Sequence, residues 1–321
     1  MEEYNEEYCS LDNVLEKLKQ DGVAVIPNVI SKKNIKLYKK QLWELLYNLT
    51  KNLNKPIKKN DQTTWRTLWE LFPLHSMLIQ NWGIGHSKLH WNIRQEPKVI
   101  KVFSKIWGVN PEELLTSFDG MSFHFPPEVT NRGYYRGNDW FHTDQSRSKN
   151  KFCCVQGMVT LYDINDGDAT FRCMKKSNNI HQQFFKDHPE IESTSDWFKL
   201  KKDHLNYFDK YEKIKIKAKK GSLILWDSRT FHQGIESLKE RPKPNFRSVI
   251  YVCMTPRSFS TEKELKKKKK AFRTKRTTSH WPHKIWLFPK LPRTYGKKIA
   301  DINVIDDKLQ ISDLGMKLAG F

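Results

Sequence analysis

Beyond Leu115 the apolar residues of this chain stop recurring at helical intervals and begin to alternate. Alternation commits a backbone to strands, because successive side chains of a strand point to opposite faces. Such runs occupy 117–125, 156–162, 169–173, 222–226 and 247–253. Each is short and bounded by turn-forming residues, which suggests a closed or double-sheet β architecture of the cupin and jelly-roll kind. Helical stretches lie before and among these runs, so the expected class is α+β.

Upstream, residues 11–20 have helical spacing that Asp21-Gly22 interrupts. Residues 23–27 are short and β-branched, hence a strand. Ser31 can cap a second helix running through Leu37, Leu42, Leu45 and Leu46. Residues 97–107 place Val99, Ile100, Val102, Phe103 and Ile106 as one packed helix, and Pro111 suits the first turn of another. The chain of 321 residues is 38% hydrophobic, with 11 Trp and 18 Phe, enough for a sizeable core. Trp65, Trp69, Trp82 and Trp91 are expected in that core. The polar, acidic start does not resemble a secretory signal, and no apolar run approaches the roughly 20 residues of a membrane span. Five cysteines form no CxxC pair and read as free thiols in a reducing compartment. An intracellular, cytoplasmic protein is expected, with the nucleus as the alternative.

The net charge of +21 attracts polyanions such as nucleic acid, acidic membranes or phosphorylated substrates, unless abundant lysine merely reflects composition. The sharpest concentration is the lysines at 266–270 with Arg273, Lys275 and Arg276. Three readings stand beside one another: a solvated helix face, a nucleic-acid site, and a nuclear-targeting patch. The aromatics of 279–288 imply that the basic extension, 257–321, packs on the core. His280, Trp281, His283 and Trp286 have the look of a zinc or stacking set, but no cysteine lies nearby to favour zinc.

Chemistry is concentrated elsewhere. His142 and Asp144 stand at i and i+2, a spacing that aims both side chains to one face of a strand. About 90 residues later comes His232, following the run 222–226. Two histidines and one carboxylate form the facial triad that holds non-haem Fe(II) and leaves coordination sites open. His188-Pro-Glu190 shares the His-x-acid spacing but has polar, charged neighbours and a proline that suits a loop. Arg247 begins a β-branched run, where an inward guanidinium can grip a carboxylate in two-pronged fashion. Arg257, past Pro256, is the second candidate anchor. His86, His90 and His124 read as structural hydrogen-bonders, and Gln145-Ser-Arg147 is placed beside the substrate by proximity alone.

These residues resemble the phytanoyl-CoA dioxygenase-like family over roughly 11–256. The segment 21–31 looks like its helix-to-strand entry. His142-Thr-Asp144 matches its first metal motif, and 226–232 with Arg247 matches its distal metal and co-substrate motifs. Residues 166–171 followed by 177–181 resemble its inter-strand segment, although the usual Pro-Gly-Ser-His is replaced here by Lys176-Ser-Asn-Asn-Ile-His. The resemblance implies a double-stranded β-helix with flanking N-terminal helices. It also implies Fe(II) on His142, Asp144 and His232, 2-oxoglutarate anchored by Arg247, and O2 as oxidant. Hydroxylation of a small-molecule or acyl substrate, releasing succinate and CO2, is the implied reaction. Asp144 argues against halogenation, since related halogenases carry a small residue there. The rival from another class is a non-catalytic polyanion-binding protein on the same scaffold. Substrate and oligomeric state are not implied.

Overall fold

Asp21 closes a first helix, Val14–Asp21, and Gly22 follows at φ 78°, the left-handed conformation that favours glycine. A Cβ there would lie 2.5 Å from Thr230 Oγ1, so the helix end also needs glycine to approach the sheet. Ser31 caps the helix Lys32–Thr50 by accepting from Asn34 N, as its sequence predicts. The helix Pro97–Trp107 forms as expected, whereas Pro111 opens only a 3-10 turn. This architecture is that of a computed structural model describing residues 3–71, 78–292, 302–305 and 309–321.

Among the described residues the strands are β1 (Tyr4–Asn5), β2 (Val23–Ile26), β3 (Leu78–Ile79), β4 (Leu114–Thr116), β5 (Met121–His124), β6 (His142–Thr143) and β7 (Val155–Thr160). They continue as β8 (Thr170–Met174), β9 (Phe198–Lys199), β10 (Lys213–Ile216), β11 (Leu223–Asp227), β12 (His232–Ile235) and β13 (Arg247–Pro256). One sheet has the order β1-β10-β8-β12-β6-β9. The other runs β2-β11-β7-β13-β5-β3, with β4 also on β13. From β5 to β8, and again from β10 to β13, the chain passes between the sheets, and the pairs within this set are antiparallel.

The second sheet is covered on both faces. Val23, Val25, Ile224, Trp226 and Val249 pack between the sheets with Phe171 and Ile214. Their neighbours Ala24, Ile26, Leu223, Leu225 and Ile250 pack on Leu42, Leu46, Val99 and Phe103 of the helices. Helices therefore bury the face that would otherwise meet water, and the strands read as nearly continuous apolar runs. This is a mixed α+β protein of two sheets and flanking helices.

One expectation needs correction. Residues 117–125 do not form one strand. β4 and β5 both pair with β13, and the four residues 117–120 face only 251–253. The extra residue makes a bulge. A Cβ on Gly120 would stand 2.1 Å from Ile79 O, so a side chain has no room at this close approach. His232 follows the strand β11, as its position after the run 222–226 suggests. The turn 228–231 carries the chain across, and His232 opens β12 in the other sheet.

The C-terminal segment contributes to the core. Helix Glu262–Arg273 presents Ala271 and Phe272 to Trp91, Phe118, Ile285 and Ala319. Lys268, inside the basic run, is buried, donates to Thr116 O and lies 4.2 Å from the Phe118 ring centre. Burial pushes its pKa well below the lysine range. Among the described residues, no helix is long and apolar enough to cross a membrane.

Candidate metal centre

His142 and His232 are register partners on β6 and β12, so the sheet itself sets two imidazoles side by side. Their ring centres are 4.3 Å apart. Asp144 follows β6, and its backbone N donates to Ser228 O at 3.0 Å, which fixes the carboxylate beneath the rings. Asp144 Oδ1 is 3.8 Å from His142 Nε2, and Oδ2 is 3.3 Å from His232 Nε2. One donor atom from each residue lies within 4.8 Å of the others, and all three residues are buried. Among the described residues this is the one such cluster; the competing His188 binds its Nδ1 to Phe184 O instead.

Each imidazole is oriented through its other nitrogen. His232 Nδ1 meets Thr230 O at 2.8 Å, and His142 Nδ1 meets Trp140 O at 3.4 Å. A proton on Nδ1 leaves the Nε2 lone pair for a cation, the usual arrangement around a metal-binding histidine. Trp140 stacks on His142 at 4.9 Å and Phe171 on His232 at 5.1 Å, so both rings are clamped. Burial, reinforced by the neighbouring His232, lowers His142 to about 3, against the pull of Asp144. Burial opposes ionisation of Asp144, but the two imidazoles hold its carboxyl well below the usual range. Two imidazoles with Nε2 turned toward a carboxylate form a donor set suited to a divalent transition metal.

Sequence reasoning assigned no role to several residues that build this site. Gln156 reaches from β7 across the gap, donating from Nε2 to Asp144 Oδ2 at 2.7 Å and to Ser228 Oγ at 3.2 Å. An amide at the edge of an otherwise apolar strand was the available signal. Trp197, half exposed, has its ring 5.6 Å from His142 and makes an aromatic rim. Beside it, Lys149 pairs with Asp196 at 2.5 Å and lies 4.4 Å from the Trp281 ring centre.

Arg247 lies at the other end of the gap. It is buried, donates from Nε to Ser122 Oγ at 3.0 Å and from Nη1 to Ala169 O at 3.1 Å. Among the described residues it has no carboxylate in ion-pair contact. Arg257 instead holds the carbonyls of Lys317, Gly320 and Phe321, far along the chain from the triad. Gln145 and Arg147 are also spent elsewhere: Gln145 Nε2 donates to Lys151 O at 3.0 Å and Arg147 Nη1 to Ile191 O at 2.8 Å. Their expected place against substrate is thus not supported by their contacts. His86 and His90 bind Arg276 O and Ser87 Oγ in the core, while neither nitrogen of buried His124 has a partner. Trp65 stacks on Phe125 and Trp91 packs against Phe118, both inside the core.

The family profile for phytanoyl-CoA dioxygenase matches residues 18–242, more than half of the chain. The chain belongs to that family. It is therefore an oxygenase of the non-haem iron and 2-oxoglutarate type in general. "Ava biosynthesis cluster protein O" of Aspergillus versicolor is 30% identical over 275 residues, spanning 83% of this chain and 84% of that protein. Two solved structures share the fold. A hypothetical protein of Escherichia coli aligns over 98% of this chain and 86% of its own, with a TM-score of 0.64 at 11% identity. GlcNAc Inducible Gene 2 of Candida albicans aligns over 98% and 79%, with a TM-score of 0.60 at 15% identity.

Proposed function

We propose that this oxygenase is a hydroxylase, with Fe(II) on His142, Asp144 and His232 and 2-oxoglutarate between that metal and Arg247. The single observation that carries the reading is the buried triad, with two oriented Nε2 atoms and one ionised carboxylate converging within 4.8 Å. The passage of β5–β8 and β10–β13 between sheets supports a double-stranded β-helix, whose mouth this site occupies. Residues 11–256 form the oxygenase unit in this reading, with 257–321 built onto it.

The buried guanidinium, which has no carboxylate in ion-pair contact among the described residues, supports the co-substrate. A buried cation without an opposite charge is costly, and a ligand carboxylate relieves that cost. Ala169, which accepts from Arg247, is four residues from Cys173, the register partner of His232. At ~3.3 Å per residue these backbone positions are about 13 Å apart along the strand, a spacing that the Arg247 and His232 side chains and a five-carbon dicarboxylate fill together. When bound, the metal and 2-oxoglutarate supply the O2 chemistry, with succinate and CO2 as co-products. The chain's own work is to orient. Thr230 O and Trp140 O fix the imidazoles, Gln156 fixes the carboxylate, and Trp140, Phe171 and Trp226 keep water from the ligand bonds. Asp144 fills the carboxylate position, which favours hydroxylation over halogenation. The substrate is a small organic molecule, a class that fits the biosynthesis cluster in the fungal relative's name.

The test needs no substrate. Fe(II) and 2-oxoglutarate added anaerobically are expected to give the weak visible charge-transfer band of a chelated 2-oxo acid, absent in Asp144→Ala. A folded wild-type protein without that band refutes the assignment.

A further inference from the structure

The histidine at 280 lies beyond the residues that match the family profile, on a segment that the fold packs against the scaffold holding Asp144. The segment carrying it is pinned. Thr278 N donates to Phe118 O and Phe118 N to Thr278 Oγ1, both at 3.0 Å. Ser279 N donates to Trp286 O at 2.9 Å, and Phe288 N to Thr277 O at 3.0 Å, which closes the segment into a hairpin-like loop. Trp281, the next residue, is buried against Cys153, Cys154 and Cys253. Cys154 O accepts from Ser228 N, and Ser228 O accepts from Asp144 N. The loop is therefore locked onto the same scaffold that fixes the carboxylate.

His280 is not one of the clustered donors, but Lys149, over the ring of the adjoining Trp281, pairs with Asp196 beside Trp197 on the rim of His142, and the charges of His280 and Asp144 also bear on one another. Its Nε2 is sealed from solvent and has no hydrogen-bond partner among the described residues. An unsatisfied buried polar group costs about 1–3 kcal/mol, so a missing partner calls for an explanation. Other histidines differ in kind. His86, His90 and His181 also leave one nitrogen unpaired, but each is held through the other, to Arg276 O, Ser87 Oγ and Gln145 O. His124 lacks both partners, but it pairs with Arg247 at the far end, and Gly133 is pressed so close that a Cβ there would stand 2.2 Å from the ring. His280 alone among these joins an unpaired nitrogen to the electrostatic neighbourhood of the triad.

We propose that His280 Nε2 is the hydrogen-bond donor to a small oxygen or anionic ligand on the open side of the metal. A neutral imidazole carries one proton, and the tautomer with that proton on Nε2 supplies the donor. The C-terminal segment thereby completes the site: three residues hold the cation and a fourth orients what the cation binds. The proposal rests on the oxygenase reading, because it needs a metal at the triad.

Co(II)-loaded protein titrated anaerobically with azide tests it, with the visible d–d spectrum as readout. Azide is a small anion that takes an open position and accepts a hydrogen bond. His280→Leu is expected to bind Co(II) as wild type does and azide about tenfold more weakly, the loss of one charge-assisted hydrogen bond. His280→Gln, which keeps a donor near the same place, is expected to recover most of that affinity and guards against misfolding of the leucine variant. Equal azide affinity in wild type and folded variants overturns the proposal. So does a parallel loss of Co(II) affinity, which marks a structural role. A wild-type protein that binds no Co(II) sinks the oxygenase reading itself, and this proposal with it.

Discussion

Replacing Gln156 by leucine isolates what one hydrogen bond contributes to the metal centre. Leucine is of similar size and keeps β7 in its ladder between Trp226 and Cys253. It removes the amide that stands 2.7 Å from Asp144 Oδ2 and 3.2 Å from Ser228 Oγ. That amide holds the carboxylate in one rotamer, with Oδ1 toward His142, and favours its ionised form. Partners of this kind are typically worth about 10–100-fold in metal affinity. A range of about 1.4–2.7 kcal/mol corresponds to that loss, in line with ~1.5–3 kcal/mol for one hydrogen bond to a charged group. Competition for Co(II) against a chromophoric chelator measures it directly. The pH dependence gives a second signature. Losing a donor to the charged form raises the Asp144 pKa, so the acid limb of metal binding is expected to move to higher pH. A folded variant with unchanged Co(II) affinity and an unchanged acid limb refutes the assignment of Gln156 as the residue that orients Asp144.

Arg247→Met is expected to raise the 2-oxoglutarate concentration for half-saturation of the charge-transfer band by about 10–100-fold, the worth of a charge-assisted pair; an unchanged requirement places the anchor elsewhere. Asp119 gives a stability prediction. Burial raises its pKa to about 7, while the Gly120 amide and Arg94 lower it and Asp144 adds to the rise. A carboxyl whose folded pKa exceeds its unfolded value of about 3.9 weakens the fold increasingly as pH climbs from about 4 to 7. Asp119→Asn is therefore expected to melt higher than wild type at pH 8, by at most about 4 kcal/mol, with the difference vanishing near pH 4. Thermal melts of metal-free protein across that range check it, and a gap that does not change with pH contradicts it.

The pairing of His142 with Asp144 was legible because its signal is local: i, i+2 spacing aims two side chains to one side of an extended backbone, and Asp144 directly follows β6. His232 does follow the strand at 223–227, as expected, but its partnership with His142 depends on tertiary pairing across the other sheet. The turn 228–231 is short and polar, and nothing in its spacing tells a crossing between sheets from a simple strand end. The bulge before β5 was hidden for a related reason. Residues 117–125 alternate well enough to read as one strand, and only Gly120 and the count of partners on β13 reveal the extra residue. Gln156 and His280 were hardest to see. Their importance comes from what lies across a gap from them, and periodicity says nothing of that.

The basic run shows how charge counting misleads when tertiary contacts are unknown. Five consecutive lysines on a helix cannot all face one way, because the helix turns 3.6 residues per cycle. Lys268 consequently points inward, capping Thr116 O above Phe118, and Lys267 donates to Ile285 O at 2.7 Å. Thr116 and Phe118 flank the bulge before β5, and Phe118 also anchors the loop that carries His280. A residue from a run that composition leaves open between a solvated face, a polyanion site and a targeting patch is thus part of the core beside the bulge before β5. Its burial requires that Thr116 O and the Phe118 ring keep their places, which couples the C-terminal helix to the geometry of the site. Lys266, Lys267 and Lys270 stay exposed, as a solvated helix face requires, while Lys268, Ala271 and Phe272 tie the same helix to the core.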